Sequence, residues 1–212
     1  MNDLFTNSST DKNLEAPLAD KMRPQSLDEV IGQHHLLDEG APLQNMISSG
    51  IFSSLILWGP PGVGKTTIAR LLAEHSKSHF EQLSAIFTGV SDLKKVFEAA
   101  KIRRTNGHKT IIFVDEIHRF NKSQQDSFLP FLEDGTITLI GATTENPSFE
   151  LNSSILSRVQ VLVLERLTNT NLESLFDRAE SLLGSQINLD LDAKTELFKQ
   201  ADGDGRTLLN LI

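Results

Sequence analysis

Short apolar runs alternate with amphipathic stretches through most of the chain, and this alternation limits the possible folds more than any other feature. The apolar runs are SLILW, FEQLSAIF, TIIFV, TITLIGA and VQVLVL. Buried strands that alternate with helices are typical of a parallel sheet covered by helices on both faces. We therefore predict an α/β fold built on a parallel five-stranded sheet.

The distribution of polar and apolar residues divides the chain into three parts. Residues 1–17 are polar and lack periodicity, which predicts a flexible tail, whereas residues 18–166 carry the predicted strands. Residues 167–212 read as three helices, with Thr168 or Asn169 and Asp190 or Asp192 as N-caps of the first two. Because the third pattern stops in mid-period, we expect this helical domain to be truncated.

Composition and charge exclude several classes of protein. The chain has no cysteine, so disulfides, thiolate metal sites and cysteine nucleophiles are excluded. Its net charge of -8 argues against an extended nucleic-acid-binding surface, so any DNA contact should be local. The N-terminus lacks the features of a secretory signal, and no apolar run approaches the roughly 18 residues of a membrane span. We expect a cytoplasmic protein with no membrane partner.

The segment GPPGVGKT satisfies the pattern G-x-x-x-x-G-K-[ST] and lies between a predicted strand and a predicted helix. Gly62 and Gly64 allow a tight turn that directs backbone N–H groups at phosphates, and the following helix adds its positive end. Lys65 would reach the β- and γ-phosphates, and the hydroxyl of Thr66 would bind Mg²⁺. The predicted ATP-binding residues of this loop are Gly59, Pro60, Pro61, Gly62, Val63, Gly64, Lys65, Thr66 and Thr67.

Two further strands end in polar residues suited to ATP hydrolysis. TIIFVDE ends in Asp115, which would hold Mg²⁺, and Glu116, which would act as general base toward the attacking water. LIGATTENP ends in Thr143 and Thr144, whose hydroxyls should lie near the γ-phosphate because ligands gather at the carboxyl ends of parallel strands. Each ending could by itself be an ordinary strand exit, and the phosphate loop makes the catalytic interpretation preferable.

Together these residues resemble the AAA+ ATPases, from about residue 17 to the end of the chain. LADKMRPQSLDEVIGQ is similar to the segment that folds over the adenine in that family. The resemblance implies Thr144 as the first sensor, with Thr143 as the competing choice. It implies Arg158 as the arginine finger that completes a neighbour's site and Arg206 as the sensor on the helical lid, so hydrolysis should require assembly. The implied adenine pocket consists of Arg23, Pro24, Ile31 and Gly32.

A longer segment distinguishes between branches of this family. DEIHRFNKSQQDSFLPFLEDGTITLIGATTENPSFELNSSILSR (residues 115–158) resembles the replication-associated recombination protein A family almost continuously, a family related to the Werner-helicase-interacting protein. The Holliday-junction branch-migration motor matches well only at DEIHR and GATT, and clamp-loader subunits share SILSR.

This resemblance implies a Mg²⁺-dependent, DNA-stimulated ATPase that acts at stalled or damaged replication forks in recombination and repair. It implies a nucleoid-associated homo-oligomer, a tetramer when full length, with a single-strand-binding protein as a further partner; this fragment could be a monomer. Three alternatives stay open: a branch-migration motor, a clamp-loader-like subunit, and a nucleotide-gated scaffold without motor activity.

The polar segment after Glu116 has two interpretations that the sequence leaves evenly balanced. In a ring-shaped ATPase it could face DNA through Arg119, Asn121, Lys122, Gln124 and Gln125. It could instead be a capped helix start, with Asn121 or Ser123 as the cap and Phe128, Phe131 and Leu132 packing inward. His118 has no partner at metal-ligand spacing, so we predict a hydrogen-bonded structural role for it.

Overall fold

The computed structural model describes residues 16–212, so the tail predicted over residues 1–17 lies almost entirely outside the described residues. Its strands are β1 Leu55–Trp58, β2 His79–Ser84, β3 Thr110–Asp115, β4 Thr138–Thr143 and β5 Gln160–Val163. All four neighbouring pairs are parallel, in the order β2-β3-β4-β1-β5. The predicted parallel five-stranded sheet is confirmed.

The helices cover both faces of the sheet and continue beyond it. Those before β5 are α1 Leu18–Lys21, α2 His34–Leu37, α3 Pro42–Ser49, α4 Lys65–His75, α5 Val90–Thr105, α6 Lys122–Asp126, α7 Leu129–Glu133, α8 Pro147–Glu150 and α9 Ser153–Leu156. After β5 follow α10 Asn169–Leu183, α11 Leu191–Ala201 and α12 Gly205–Leu211. Within residues 16–212, no helix combines the length and apolar character needed to cross a membrane.

The core lies in two layers because side chains alternate between the faces of a strand. In β3, Ile111 and Phe113 belong to the cluster that packs against α3 and α4. Ile112 and Val114 point the other way, into the cluster that contains the α5 residue Phe97. This burial on both faces explains why β3 reads as an uninterrupted apolar run rather than an alternating one.

The strand order brings the predicted functional segments to one edge of the sheet. β4 lies between β1 and β3, with Trp58 paired to Thr143, and the N–H of Gly59 donates to the carbonyl of Thr143 at 3.1 Å. β2, which separates β1 from β3 along the chain, lies at the outer edge of the sheet. The carboxyl ends of β1, β4 and β3 therefore lie side by side at one edge of the sheet.

The C-terminal helices begin at side-chain caps that the sequence proposed as alternatives. Thr168 accepts from the N–H of Asn171 at the start of α10, and Asp190 accepts from that of Ala193 at the start of α11. Asp204 caps α12 in the same way through Thr207. These helices enclose their own small core, and the structure therefore agrees with three helices after residue 167.

The polar segment after Glu116 is a capped helix start. Asn121 accepts from the N–H of Gln124, and the Gln124 side chain accepts in return from the N–H of Asn121, at 2.9 and 3.0 Å. Gln125, 2% exposed, donates to the carbonyls of Phe120 and Glu150 and accepts from the N–H of Asn152. The amide side chains are thus used within the fold, which counts against DNA contact for Gln125 in particular. Lys122 and Arg119 are exposed.

Candidate active site

A cavity of about 570 Å³ lies between the phosphate loop, the N-terminal segment and the C-terminal helices. Its volume is within the range of small-molecule sites, roughly 300 to 1,000 Å³. The predicted site residues in its wall are Arg23, Pro24, Ile31, Pro61, Gly62, Val63, Gly64, Lys65, Thr66, Thr67, Asp115, Glu116 and Arg206. The fold therefore gathers side chains from four distant parts of the chain around one space.

Five predicted residues lie outside this wall: Gly32, Gly59, Pro60, Thr144 and Arg158. Gly32 has a φ of 76°, and a Cβ there would lie 3.0 Å from Leu167 and 3.2 Å from Asn171. Gly32 thus lets the N-terminal segment pack closely against Leu167, itself a residue of the cavity wall, and against the start of α10. Its place in the adenine pocket stays a prediction. Gly59 and Pro60 contribute through their backbone carbonyls, which accept hydrogen bonds from Nζ of Lys65.

The phosphate loop has the backbone conformation that its glycines predict. Gly62 and Gly64 have φ values of 69° and 100°, a left-handed conformation that L side chains adopt at a cost. α4 begins at Lys65, directly after Gly64, and no side chain among the described residues caps its first turn. The free N–H groups there, together with the helix dipole, suit an anion such as a triphosphate.

Lys65 is held close to the loop that precedes it. Its side chain is buried, and Nζ donates to the carbonyls of Gly59 and Pro60 at 2.8 and 2.7 Å. Burial lowers the pKa of Lys65 below its ordinary value of 10.5, while the nearby carboxylates of Glu116 and Asp115 oppose that shift. A phosphate would supply the negative charge that favours the protonated amine.

Asp115 and Glu116 are adjacent in the chain but have different backbone conformations. Asp115 is the last residue of β3, whereas Glu116 has a φ of 52°, in the left-handed region. Such a conformation costs a non-glycine residue about 1–3 kcal/mol and is concentrated at functional sites. It turns the chain sharply after the strand, so that both carboxylates lie in the wall of the cavity.

Two oxygen-bearing side chains in the wall suit Mg²⁺. The carboxylate of Asp115 and the hydroxyl of Thr66 both line the cavity, next to the phosphate loop. Mg²⁺ prefers oxygen ligands and is usually held by one or two protein groups together with substrate phosphates and water. The residues present therefore fit a magnesium–nucleotide complex.

The two threonines after β4 differ in the use of their hydroxyls. Thr143 is fully buried, and its Oγ1 lies 2.8 Å from Nδ1 of His118 and accepts from the N–H of Glu145 at 3.0 Å. Thr144 is only partly buried. Because the hydroxyl of Thr143 is already used within the fold, the geometry favours Thr144 for a sensing role, which stays a prediction.

The two predicted arginines lie on different surfaces. Arg206, in the first turn of α12, lines the cavity. Arg158 lies outside the cavity wall, where its side chain is 37% exposed and bonds to Glu133 and to the carbonyl of Ser154. That location agrees with a residue directed at a neighbouring subunit rather than at the site of its own chain.

Sequence reasoning missed several wall residues, among them the ion pair of Glu29 and Arg178. Arg178, on α10, donates to the Glu29 carbonyl at 3.1 Å and to the Glu29 carboxylate at 2.9 Å. The pKa of Glu29 is lowered, first by the hydrogen bond from the N–H of Gln25 and then by Arg178. This pair joins the N-terminal segment to the C-terminal helices, and no local pattern indicates it.

A sequence model of the ATPase family associated with various cellular activities, AAA, matches residues 55–167. This match covers more than half of the chain and includes the phosphate loop, Asp115 and Glu116. The chain belongs to the AAA family. It therefore carries an AAA ATPase domain, and the predicted AAA+ resemblance is confirmed.

Proteins similar to this chain indicate the branch of the AAA family to which it is related. The chain is 47% identical over 205 residues to replication-associated recombination protein A of Escherichia coli (strain K12), covering 94% of this chain and 46% of that protein. It is 46% identical over 201 residues to ATPase WRNIP1 of Dictyostelium discoideum, covering 93% of this chain and 23% of that protein. These matches confirm the predicted resemblance. The chain spans about half the length of the bacterial relatives, or less.

A solved structure of the Thermotoga maritima RuvB protein is also similar. It is described as a Holliday junction branch migration motor and superposes with a TM-score of 0.72 at 29% identity, over 90% of this chain and 63% of that chain. The likeness in three dimensions agrees with the AAA fold of the sheet and its flanking helices.

Proposed function

We propose that this chain is the ATP-hydrolysing part of a Mg²⁺-dependent, DNA-stimulated ATPase that acts in replication-associated recombination and repair. One observation carries the proposal: Lys65, Asp115 and Glu116 line a single cavity of nucleotide size. The similarity to replication-associated recombination protein A supports the recombination role.

The phosphate end of the cavity is the catalytic end in this proposal. Lys65 and the free N–H groups of α4 would hold the phosphates, and Thr66 with Asp115 would hold Mg²⁺, which neutralises charge that develops on the transferred phosphoryl group. Glu116 would orient the attacking water and accept its proton.

The opposite end of the cavity is suited to the adenine base. The residues that line the cavity include Arg23, Pro24 and Ile31 and, from the C-terminal helices, the apolar residues Leu175 and Leu209. An apolar slot with few polar groups is typical of a site for a flat base. We propose ATP as the nucleotide on this basis and on the family membership.

Assembly is the second requirement of the proposal. The exposed Arg158 would complete the site of a neighbouring subunit, where an arginine can raise the rate of phosphoryl transfer by about 10³ to 10⁵. Thr144 and Arg206 would contact the nucleotide within the same subunit. The full-length protein would then be a homo-oligomer, which we propose to be a tetramer.

Contact with DNA would be local and electrostatic. The net charge of -8 argues against an extended basic surface, but Arg119 and Lys122 are exposed and lie three and six residues after Glu116. We propose that these cations meet forked or single-stranded DNA, that the protein works in the cytoplasm at the nucleoid, and that a single-strand-binding protein is a partner there.

A branch-migration motor is the second candidate function. The structural likeness to the Thermotoga maritima RuvB motor favours it. A scaffold without motor activity is a further alternative, which the same experiment separates. A clamp-loader-like subunit also stays open as an alternative.

The test is ATP hydrolysis by the full-length protein, measured without DNA and with single-stranded, forked and four-way-junction DNA. We expect turnover that rises with forked or single-stranded DNA, and a loss on the order of 10² or more in the Glu116→Gln variant with ATP affinity retained. Stimulation by four-way junctions alone would favour the branch-migration motor. No turnover on any DNA, with ATP still bound, would refute the proposal in favour of a scaffold.

A further inference from the structure

His118 lies between the proposed catalytic base and the end of β4. It belongs to the single turn Ile117–Arg119 that follows Glu116, and its side chain is only 9% exposed. Its Nδ1 is 2.8 Å from Oγ1 of Thr143 and 3.3 Å from Oε2 of Glu116. One ring nitrogen thus faces two oxygens that belong to different functional segments.

The hydrogen bonds around Thr143 determine which form of the imidazole is present. Oγ1 of Thr143 accepts from the N–H of Glu145 at 3.0 Å, and its own proton can go to the carbonyl of Glu145 at 3.3 Å. It can still accept from His118. If Nδ1 instead carried a lone pair, that lone pair would face a carboxylate oxygen at 3.3 Å, which is unfavourable. The proton is therefore on Nδ1.

One carboxylate oxygen of Glu116 lacks a hydrogen-bond donor in this arrangement. Its Oε2 is buried and has no hydrogen-bond partner among the described residues, although Nδ1 of His118 is within 3.3 Å. A buried carboxylate oxygen without a donor is unfavourable, so such an atom indicates either a missing partner or a second arrangement. The Nδ1–H of His118, at 3.3 Å, is a donor able to supply that bond.

We propose that His118 is a positioning residue that directs its Nδ1–H to Thr143 in the structure described and to Glu116 when nucleotide occupies the cavity. This inference rests on the proposed function of Glu116 as the base. The bond would hold the carboxylate in one orientation toward water. It would also couple the base to the Thr143–Thr144 strand end, because His118 releases Thr143 when it bonds to Glu116.

The expected effect appears in turnover rather than in binding. We expect His118→Leu to lower kcat of the full-length ATPase by on the order of 10², the loss typical of a misplaced reacting group, with the KM for ATP unchanged within about twofold. His118→Asn places an N–H donor close to the position of Nδ1 and should restore most of the rate. His108→Leu, at an exposed histidine away from the cavity wall, is the matched control and should leave kcat unchanged.

A second measurement does not depend on activity. In a crystal structure of the full-length protein with Mg²⁺ and a non-hydrolysable ATP analogue, we expect Nδ1 of His118 to approach Oε2 of Glu116 to about 2.7–2.9 Å, the length of a charge-assisted hydrogen bond. A structure in which Glu116 turns away from His118 would overturn the inference.

The outcomes separate this inference from the proposed function. No hydrolysis by the unaltered protein would defeat the proposed function. Hydrolysis that continues at an unchanged kcat in a folded His118→Leu variant would defeat the positioning role alone. If His118→Leu does not fold, as judged by its melting temperature, the rate of the Asn variant and the nucleotide-bound structure decide: a slow, folded His118→Asn or a missing contact would contradict the role.

Discussion

Replacing Gly62 by alanine tests how closely the phosphate loop packs against α12. Gly62 has a φ of 69°, and a Cβ there would lie 1.7 Å from Oδ1 of Asp204, so Asp204 would have to move. The left-handed backbone costs about 1–2 kcal/mol. Displacing Asp204 would remove its cap on α12, about 1 kcal/mol, and the bond from the N–H of Gly205 to the carbonyl of Gly62, about 1 kcal/mol more. We expect Gly62→Ala to lower the free energy of unfolding by about 3–4 kcal/mol.

The assay is urea unfolding without nucleotide, followed by far-ultraviolet circular dichroism and by the fluorescence of the single tryptophan, Trp58, at the end of β1. Gly64→Ala is the matched control, because Gly64 has a φ of 100° but nothing within 4 Å of its added Cβ. It should cost only the backbone term of about 1–2 kcal/mol.

A double variant isolates the contact. With Asp204→Ala in the background, Gly62→Ala should cost about as much as Gly64→Ala, because the colliding carboxylate is gone. Equal losses for Gly62→Ala and Gly64→Ala in the unaltered background would refute the reasoning, since the contact with α12 would then contribute nothing.

Three further predictions concern single side chains. Because burial lowers the pKa of Lys65 below 10.5, its proton is lost at a lower pH than in the unfolded chain, so the loss of ATP affinity measured by calorimetry should have its midpoint below pH 10.5. Over the same range the unfolded chain binds more protons, so this group adds stability as pH rises through its folded pKa. Gln125→Ala should cost about 3 kcal/mol in urea unfolding, because three backbone groups lose their hydrogen-bond partner, with DNA stimulation of the full-length ATPase retained. Gln33→Ala should cost about 2 kcal/mol, because the amide makes two hydrogen bonds to the backbone of Glu165.

Each of these has an outcome that would contradict it. A loss of ATP affinity with its midpoint at pH 10.5 or higher would show that the pKa of Lys65 is not lowered. A stable Gln125→Ala variant that loses DNA stimulation would return that residue to the DNA-contacting interpretation. For Gln33, an unchanged unfolding midpoint would mean that water replaces its amide at Glu165; Gln44→Ala, on α3, is the control for the substitution itself.

Several features of this protein follow from short stretches of sequence. The apolar run of β3 is buried on both faces, so composition alone identifies it as an inner strand. The phosphate loop is likewise local, because the left-handed backbone at Gly62 and Gly64 needs glycine and the motif places Lys65 at the first turn of the next helix. The caps at Thr168 and Asp190 depend on hydrogen bonds that span only three residues.

Other features depend on residues far apart in the chain. The insertion of β4 between β1 and β3 is a choice of partner that periodicity does not contain, and it is what brings Thr143 next to Gly59. The close packing of Leu167 and Asn171 against Gly32 likewise joins residues far apart in the chain, and no local pattern indicates it.

Polar contacts between residues far apart in the chain were likewise decided only by the tertiary structure. Arg178 reaches Glu29 across the cavity, and His118 reaches Thr143 across two strand ends. Local sequence limits which backbone conformations and buried faces a segment can adopt, because these depend on neighbours within a few residues. Which distant side chains then meet depends on how the faces pack, and that is a property of the whole fold.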